Sequence, residues 1–273
     1  MPDPSTPAAH DAPRSPGQAL GAGASDVVLE GRRVPDVPVQ LVTPGGGARP
    51  VGSGTLFAGR RVVAFALPGA FTPTCSAQHL PRYEELAPAF RAAGVDAILC
   101  MSVNDPYVMA EWGRTQGVAE VELVADGNGD FAEGMGLLVD RHEVGFGRRS
   151  RRYSMLVDDG VVRRAFVEPD APGDPFEVSD ADTMLASVAP DAARPPHVAM
   201  IAKAGCPHCA RAADRLREAR VPFVEIVLPD AVRGRALQAL AGATTAPQVF
   251  VDGRLVGGSD ALEEWLRRRP APG

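Results

Sequence analysis

Twice along this chain a short apolar run breaks at a turn and hands over to a cysteine that opens a helical pattern. The first run is Arg61 to Leu67 (RVVAFAL), followed by Pro68 to Thr74 and then Cys75, after which Leu80, Tyr83, Leu86 and Phe90 recur at helical spacing. The second is His197 to Ala202, followed by Cys206-Pro207-His208-Cys209 and a helix to about Arg220. A short apolar run with no alternation is a strand buried on both faces, as in a mostly parallel sheet flanked by helices. Two such strand-to-helix units, each with a cysteine at the junction, restrict the chain to an α/β architecture with two thiol sites.

The rest of the pattern fits that restriction. Val95 to Val103 reads as a buried strand, Asp105 to Gln116 as a helix and Val121 to Ala125 as a third strand. Ser154 to Val157 and Val161 to Val167 flank Asp158-Asp159-Gly160, a hairpin turn. Ser179 to Val188 is expected to be a closing helix with Ser179 as N-cap and Asp182 completing a capping-box-like start. Beyond the proline-stiffened stretch from Pro190 to Pro196, strands at Phe223 to Leu228, Gln248 to Val251 and Leu255 to Val256 alternate with helices at Asp230 to Ala241 and Ser259 to Arg268. This β-α-β-α-β-β-α order, with C-x-x-C at its first strand-to-helix turn, is the pattern of a thioredoxin-like redox domain. The division expected is a disordered arm over 1–25, a first thioredoxin-like domain over 26–189, a linker over 190–196 and a second over 197–273.

Composition excludes several classes. Four cysteines at irregular spacing in 273 residues do not form the disulfide framework of a small secreted domain, so a reducing, cytoplasmic compartment is expected. The first residues lack an apolar core, and Asp3 and Asp11 argue against a transit peptide, so neither a signal peptide nor a membrane span is read there. No later segment is long and apolar enough to cross a bilayer. Thirty-four acidic against 28 basic residues give a net charge of −6, which disfavours nucleic acid as a partner. No metal is expected: Cys206, Cys209 and His208 supply at most three adjacent ligands, and Asp126 to Asp130 departs from a calcium loop at Phe131 and Leu137 and reads as a turn. His10, His79, His142 and His197 lack a matched partner in sequence; His79 is read as packing or capping near the Cys75 helix. Cys100, mid-strand in an apolar run, is read as inert packing.

At Cys75 the free N–H groups and dipole of a helix N-terminus favour a thiolate. Reducing a peroxide needs two further elements, a donor that positions the O–O bond and a cation that holds the developing negative charge. Thr72 supplies a hydroxyl three residues upstream, and Arg148, Arg149, Arg151 and Arg152 form a basic cluster before the Ser154 strand. The run Pro68-Gly69-Ala70-Phe71-Thr72-Pro73-Thr74-Cys75-Ser76 with His79-Leu80-Pro81 resembles the active-site motif of the peroxiredoxin 5 family. The likeness continues through Ser102 to Asp105, Glu111-Trp112, Ala125 to Gly127 and Arg152 to Met155, over about residues 26 to 189. It implies a peroxidatic Cys75 in a pocket shaped by Pro68, Thr72 and Arg152, with the other arginines of the cluster solvated or at an interface. Several family members carry a resolving cysteine late in the domain, whereas Pro175 to Asp180 has none. A sulfenic acid on Cys75 therefore needs a thiol from elsewhere.

From His197 to Arg268 the chain resembles a glutaredoxin, in Lys203-Ala204-Gly205-Cys206-Pro207-His208-Cys209, in Thr245 to Phe250 and in Gly257-Gly258-Ser259-Asp260. The resemblance implies catalytic Cys206 and Cys209 and a glutathione site of Lys203, Ala246, Pro247, Gly258, Ser259 and Asp260. A cis Pro247 would leave the Ala246 backbone free to pair with a peptide-like thiol. The helix start at Ser259 offers N–H groups to one carboxylate, Asp260 meets an ammonium, and Lys203, the one lysine of the chain, meets the other carboxylate. His208 departs from the aromatic common at its position, and an imidazolium there would stabilise the Cys206 thiolate and make the pair more oxidising.

The expectation is a glutathione-dependent peroxidase acting on hydrogen peroxide and small alkyl hydroperoxides. It uses glutathione, regenerated by glutathione reductase, as reducing co-substrate, with no bound cofactor. The alternative of another class is a thiol redox sensor or disulfide oxidoreductase without high peroxidase turnover. Seven linker residues span only about 25 Å at roughly 3.5 Å each, so a homo-oligomer with thiol transfer between subunits is expected.

Overall fold

The computed structural model describes residues 27–43, 46–171 and 173–269; the arm read over 1–25 and His10 lie outside them. The first sheet is built from β1 (Pro38–Thr43), β2 (Gly47–Gly52), β3 (Arg61–Ala66), β4 (Ala97–Ser102), β5 (Glu122–Ala125), β8 (Tyr153–Asp158) and β9 (Val161–Val167), in the order β2-β1-β5-β4-β3-β8-β9. The central trio β3, β4 and β5 is parallel, and every other pairing is antiparallel. A separate hairpin, β6 (Leu138–Arg141) with β7 (Gly147–Ser150), precedes β8. The helices are α1 (Gly54–Phe57), α2 (Leu80–Ala92), α3 (Pro106–Gln116), α4 (Asp130–Met135) and α5 (Ala181–Val188).

Strand alternation sends the apolar run of β3 in both directions. Val62, Ala64 and Ala66 join Phe57, Phe131 and Met155 in one core layer, while Val63 and Phe65 join Tyr83, Leu86, Phe90 and Trp112 in the other. Cys75 and Cys100 both belong to the second layer and are fully buried. Burial first, and then the neighbouring Cys75, push the Cys100 thiol well above its ordinary value.

The second sheet is four-stranded, β11-β10-β12-β13, from β10 (Val198–Ala202), β11 (Val224–Val227), β12 (Gln248–Val251) and β13 (Arg254–Gly257). β10 pairs parallel with β11 and antiparallel with β12. Helices α6 (Pro207–Glu218), α7 (Asp230–Ala241) and α8 (Ser259–Arg268) complete the expected order, so both units are thioredoxin-like α/β folds.

Several boundaries differ from the sequence reading. The Cys75 helix starts as a π-helix over Cys75–His79, in which the Leu80 N–H donates to Cys75 O five residues back, and runs on through Pro88 to Ala92. The closing helix begins at Ala181 with Asp180 as its cap, the Asp180 carboxylate accepting from Thr183 N at 2.9 Å. Ser179 instead donates its hydroxyl to Glu168 at 2.8 Å, and Asp182 pairs with Arg82 at 2.7 Å. The glycine-, proline- and arginine-rich strands β2 and β7 carry no apolar pattern and escaped prediction, as did β1, α4 and β6. Asp126 forms the expected turn, its buried carboxylate accepting from Phe131 N and Ala132 N.

Candidate active site

The loop from β3 to Cys75 is shaped by its own polar groups. Asn104 Oδ1 accepts from Ala70 N at 3.0 Å and from Ser102 Oγ at 2.7 Å, which ties the loop to the end of β4. Thr72 Oγ1 donates to Gly69 O at 2.9 Å, so the hydroxyl hydrogen is committed and its oxygen remains an acceptor. Ser76, one residue past Cys75, accepts from Trp112 Nε1 at 3.0 Å and fixes the first turn of the helix against α3.

Arg152 enters from the junction of β7 and β8, with a side chain only 2% exposed. Its Nη1 lies 3.5 Å from Cys75 Sγ and 3.1 Å from His79 Nδ1, while Nη2 pairs with Asp174. Phe176 lies against the guanidinium, 5.3 Å from ring centroid to Cζ. Among the described residues Arg152 Nε has no hydrogen-bond partner. Pro68 lines a small cavity with Arg152, Glu168, Asp174 and Pro175. Arg152 thus meets Cys75 directly and shares a cavity with Pro68, while Thr72 is tied to the start of the Cys75 helix by the Ser76 N–H, which donates to its carbonyl at 3.0 Å.

His79 is fully buried between Phe65, Tyr83 and Phe176, with Nε2 3.2 Å from Ser179 O. Burial, and then the Arg152 charge, hold its imidazole well below the usual histidine range, so the ring is neutral, donates through Nε2 and accepts from Arg152 at Nδ1. It packs as expected, but it also seats Arg152. Its position four residues from Cys75 is the sequence signal that could have revealed this. Asp174 and Phe176 sit in a proline- and glycine-rich loop with no such signal.

Of the neighbouring arginines read as solvated or at an interface, two are instead held inside the first unit. Arg151 is 5% exposed and donates to Glu168 O at 2.7 Å, and half-buried Arg149 donates to Val103 O at 2.8 Å. Both hold the β7–β8 junction against the rest of the first unit. Only Arg148 of the three is exposed, paired with Glu133.

In the second unit Cys206 is the N-cap of α6, its sulfur accepting from Cys209 N at 3.2 Å. Its thiol faces Ala246 O at 3.9 Å, next to the cis Ala246–Pro247 bond. Burial raises the Cys206 thiol, but hydrogen bonds from the Cys209 side chain and backbone and from His208 N, together with the Lys203 charge, outweigh it and set the thiol below its ordinary value. Cys209, buried behind it, is pushed up to about 11 by burial and then by Cys206. A Cβ on Gly258 would sit 3.6 Å from Pro247 O, which places the start of α8, with Ser259 and exposed Asp260, beside the cis proline. The Ser259 hydroxyl is buried with no partner among the described residues, an open donor and acceptor at that helix start.

His208 is exposed at the start of α6, with Nδ1 2.8 Å from Arg211 Nη2, where the guanidinium donates. Among the described residues no group of three or more histidine, cysteine or acidic side chains is placed to hold an ion.

Comparison with known proteins agrees with both units. The family model described as Redoxin matches residues 29–185, and that described as Glutaredoxin matches 198–256. The chain is 48% identical over 238 residues to the hybrid peroxiredoxin hyPrx5 of Haemophilus influenzae, covering 87% of this chain and 98% of that protein. It is 57% identical over 135 residues to peroxiredoxin sll1621 of Synechocystis sp., covering 48% of this chain and 71% of that one. Among solved structures, reduced Prx3 of Vibrio vulnificus in complex with hydrogen peroxide superimposes with a TM-score of 0.55 at 44% identity, over 59% of this chain and 99% of that chain.

Proposed function

Because the chain belongs to the redoxin family and carries a glutaredoxin domain behind its redoxin domain, we propose that it reduces hydrogen peroxide and small alkyl hydroperoxides at Cys75 and is recycled by glutathione through Cys206. The observation that carries this reading is the Arg152 guanidinium 3.5 Å from the buried Cys75 sulfur, with His79 and Asp174 fixing its orientation.

The Cys75 thiolate attacks the terminal peroxide oxygen. The S–O bond forms as the O–O bond breaks, sulfur is oxidised to the sulfenic acid, and the departing alkoxide or hydroxide takes a proton to leave as alcohol or water. Arg152, with an Nε–H still unpartnered, stabilises the charge moving onto the leaving oxygen, and Thr72 Oγ1 accepts from the peroxide O–H. Glutathione then condenses with the sulfenic acid, forming a mixed disulfide and releasing water. The Cys206 thiolate attacks the glutathione sulfur, which frees Cys75. A second glutathione thiolate attacks Cys206-bound glutathione, giving glutathione disulfide and the Cys206 thiol; Cys209 permits the alternative in which it displaces glutathione and closes a Cys206–Cys209 disulfide. Lys203, the Ala246 backbone, Pro247, Gly258, Ser259 and Asp260 form the glutathione site, and the setting is a reducing, cytoplasmic one.

Purified protein with glutathione, glutathione reductase and NADPH is expected to consume NADPH on addition of peroxide, and Cys75→Ser to abolish that consumption. NADPH loss no greater than the protein-free background overturns the reading. Mass spectrometry of peroxide-treated Cys209→Ser protein is expected to find glutathione on Cys75 or Cys206.

A further inference from the structure

Arg152 faces two acceptors at once. One end nitrogen, Nη1, faces the Cys75 sulfur, and the other, Nη2, faces the Asp174 carboxylate. The groups around this guanidinium differ sharply in exposure: Cys75 and His79 are fully buried and Arg152 is 2% exposed, whereas the Asp174 side chain is 38% exposed. Asp174 also lines the cavity that reaches Pro68 and Arg152. Arg141, Arg151 and Glu168 line the same cavity, but Arg141 pairs with Asp170 at 2.6 Å, and buried Arg151 and Glu168 carry opposite charges side by side, Arg151 donating to the Glu168 carbonyl at 2.7 Å.

We propose that Asp174 is a specificity-determining residue that selects uncharged hydroperoxides over those bearing an anionic group, a reading that rests on Cys75 as the peroxide-reducing thiol. The argument is electrostatic. Cys75 Sγ and the Asp174 carboxylate contact the two ends of one planar guanidinium, which puts them within roughly 8 Å, inside a Debye length at physiological salt. A peroxide that binds beside Cys75 and Arg152 therefore meets a fixed negative charge that salt screens only in part, because the guanidinium it faces is buried while the carboxylate is 38% exposed, and Asp174 already neutralises part of the cation that would attract an anion. An uncharged peroxide is indifferent to that charge. At this separation one unit charge is worth about a tenfold change in the reactivity of a monoanion.

The test is single-turnover oxidation of Cys75 in the full chain, followed by loss of the free thiol, with hydrogen peroxide, tert-butyl hydroperoxide and the peroxymonosulfate monoanion as oxidants. In each reaction the thiolate takes one peroxide oxygen and water, alcohol or sulfate leaves. Asp174→Asn is expected to raise the anion-to-neutral rate ratio about tenfold and to flatten its dependence on salt, while Asp174→Glu, which keeps the charge, stays within about twofold of the parent ratio. An Asp174→Asn ratio within twofold of the parent overturns the proposal, as does an equal loss of rate with all three oxidants in both variants, which marks a structural role only. Failure of the parent chain to lose the Cys75 thiol to hydrogen peroxide overturns the underlying reading instead.

Discussion

Cys206 and Cys209 are three residues apart and experience opposite surroundings. Cys206, capping α6 and receiving the Cys209 N–H, has its thiol lowered, whereas Cys209 is pushed up to about 11. Since the thiolate is the reactive form, alkylation of Cys206 by iodoacetamide is expected to follow a pH profile with its midpoint below 9, with Cys209 silent until about pH 11; peptide mapping across pH checks this. Lys203→Ala should move the Cys206 midpoint upward, because it removes a cation that favours the thiolate. Cys100 is the contrasting case, buried and with its thiol raised. Cys100→Ala is expected to keep peroxide-dependent turnover and to cost about 1–2 kcal/mol by urea unfolding, the cost of a small cavity in the second core layer.

At the level of elements, the stretch between β9 and α5 shows what sequence could and could not convey. Glu168 is 1% exposed, and its Oε1 accepts from Glu177 N, Val178 N, Ser179 N and Ser179 Oγ, all at 2.8–2.9 Å. That single carboxylate folds the loop back so that Phe176 and Asp174 reach Arg152 and Ser179 O reaches His79. Glu168→Ala is expected to destabilise the protein by about 2–4 kcal/mol in urea unfolding and to slow Cys75 oxidation by peroxide, because four donors lose their acceptor and Arg152 loses its seat. Buried strands, the helices with a clear apolar face and both cysteine turns were legible, since each leaves a periodic or motif-level mark. The site residues near Cys75 in sequence, and Arg152 through its resemblance, were legible too. Asp174, Phe176 and Glu168 were not, because a loop held by one distant carboxylate has no periodicity and its contacts span the fold. The Ser179 cap failed for the same reason: its hydroxyl had a better partner at Glu168, leaving Asp180 to cap α5.

For the whole molecule, the connection between the units is anchored on the first of them. Arg82, 9% exposed, binds Asp182 through Nε and Nη2, Glu85 through Nη1 and the Pro195 carbonyl through Nη2 at 3.0 Å, and His197 lies 3.8 Å from Asp182. The Arg82 contact at Pro195 shortens the free length of the tether, which is in keeping with the proposed delivery of thiol between subunits. Mixing Cys75→Ser with Cys206→Ser chains under subunit exchange is expected to restore glutathione-dependent NADPH consumption that neither variant shows alone. Separating the two domains at the linker should lower turnover at micromolar protein, because a tethered reductant near millimolar effective concentration is lost.

The π-helix at Cys75–His79 has a further consequence, for which lengths of chain the protein tolerates here. Its wide turn holds one residue more than an α-helical turn would, and it is in this register that Cys75 and His79 both reach Arg152. Deleting one residue between them would let the segment relax into an ordinary α-helix with Cys75 and His79 three positions apart, still on one face but about 60° from each other and one rise of about 1.5 Å closer along the axis. Substitutions at Ala77 and Gln78, whose side chains are exposed, disturb little, while a single-codon deletion at the same place changes the spacing at which the sulfur and the histidine meet the guanidinium. Drift in this stretch is therefore freer in letter than in length.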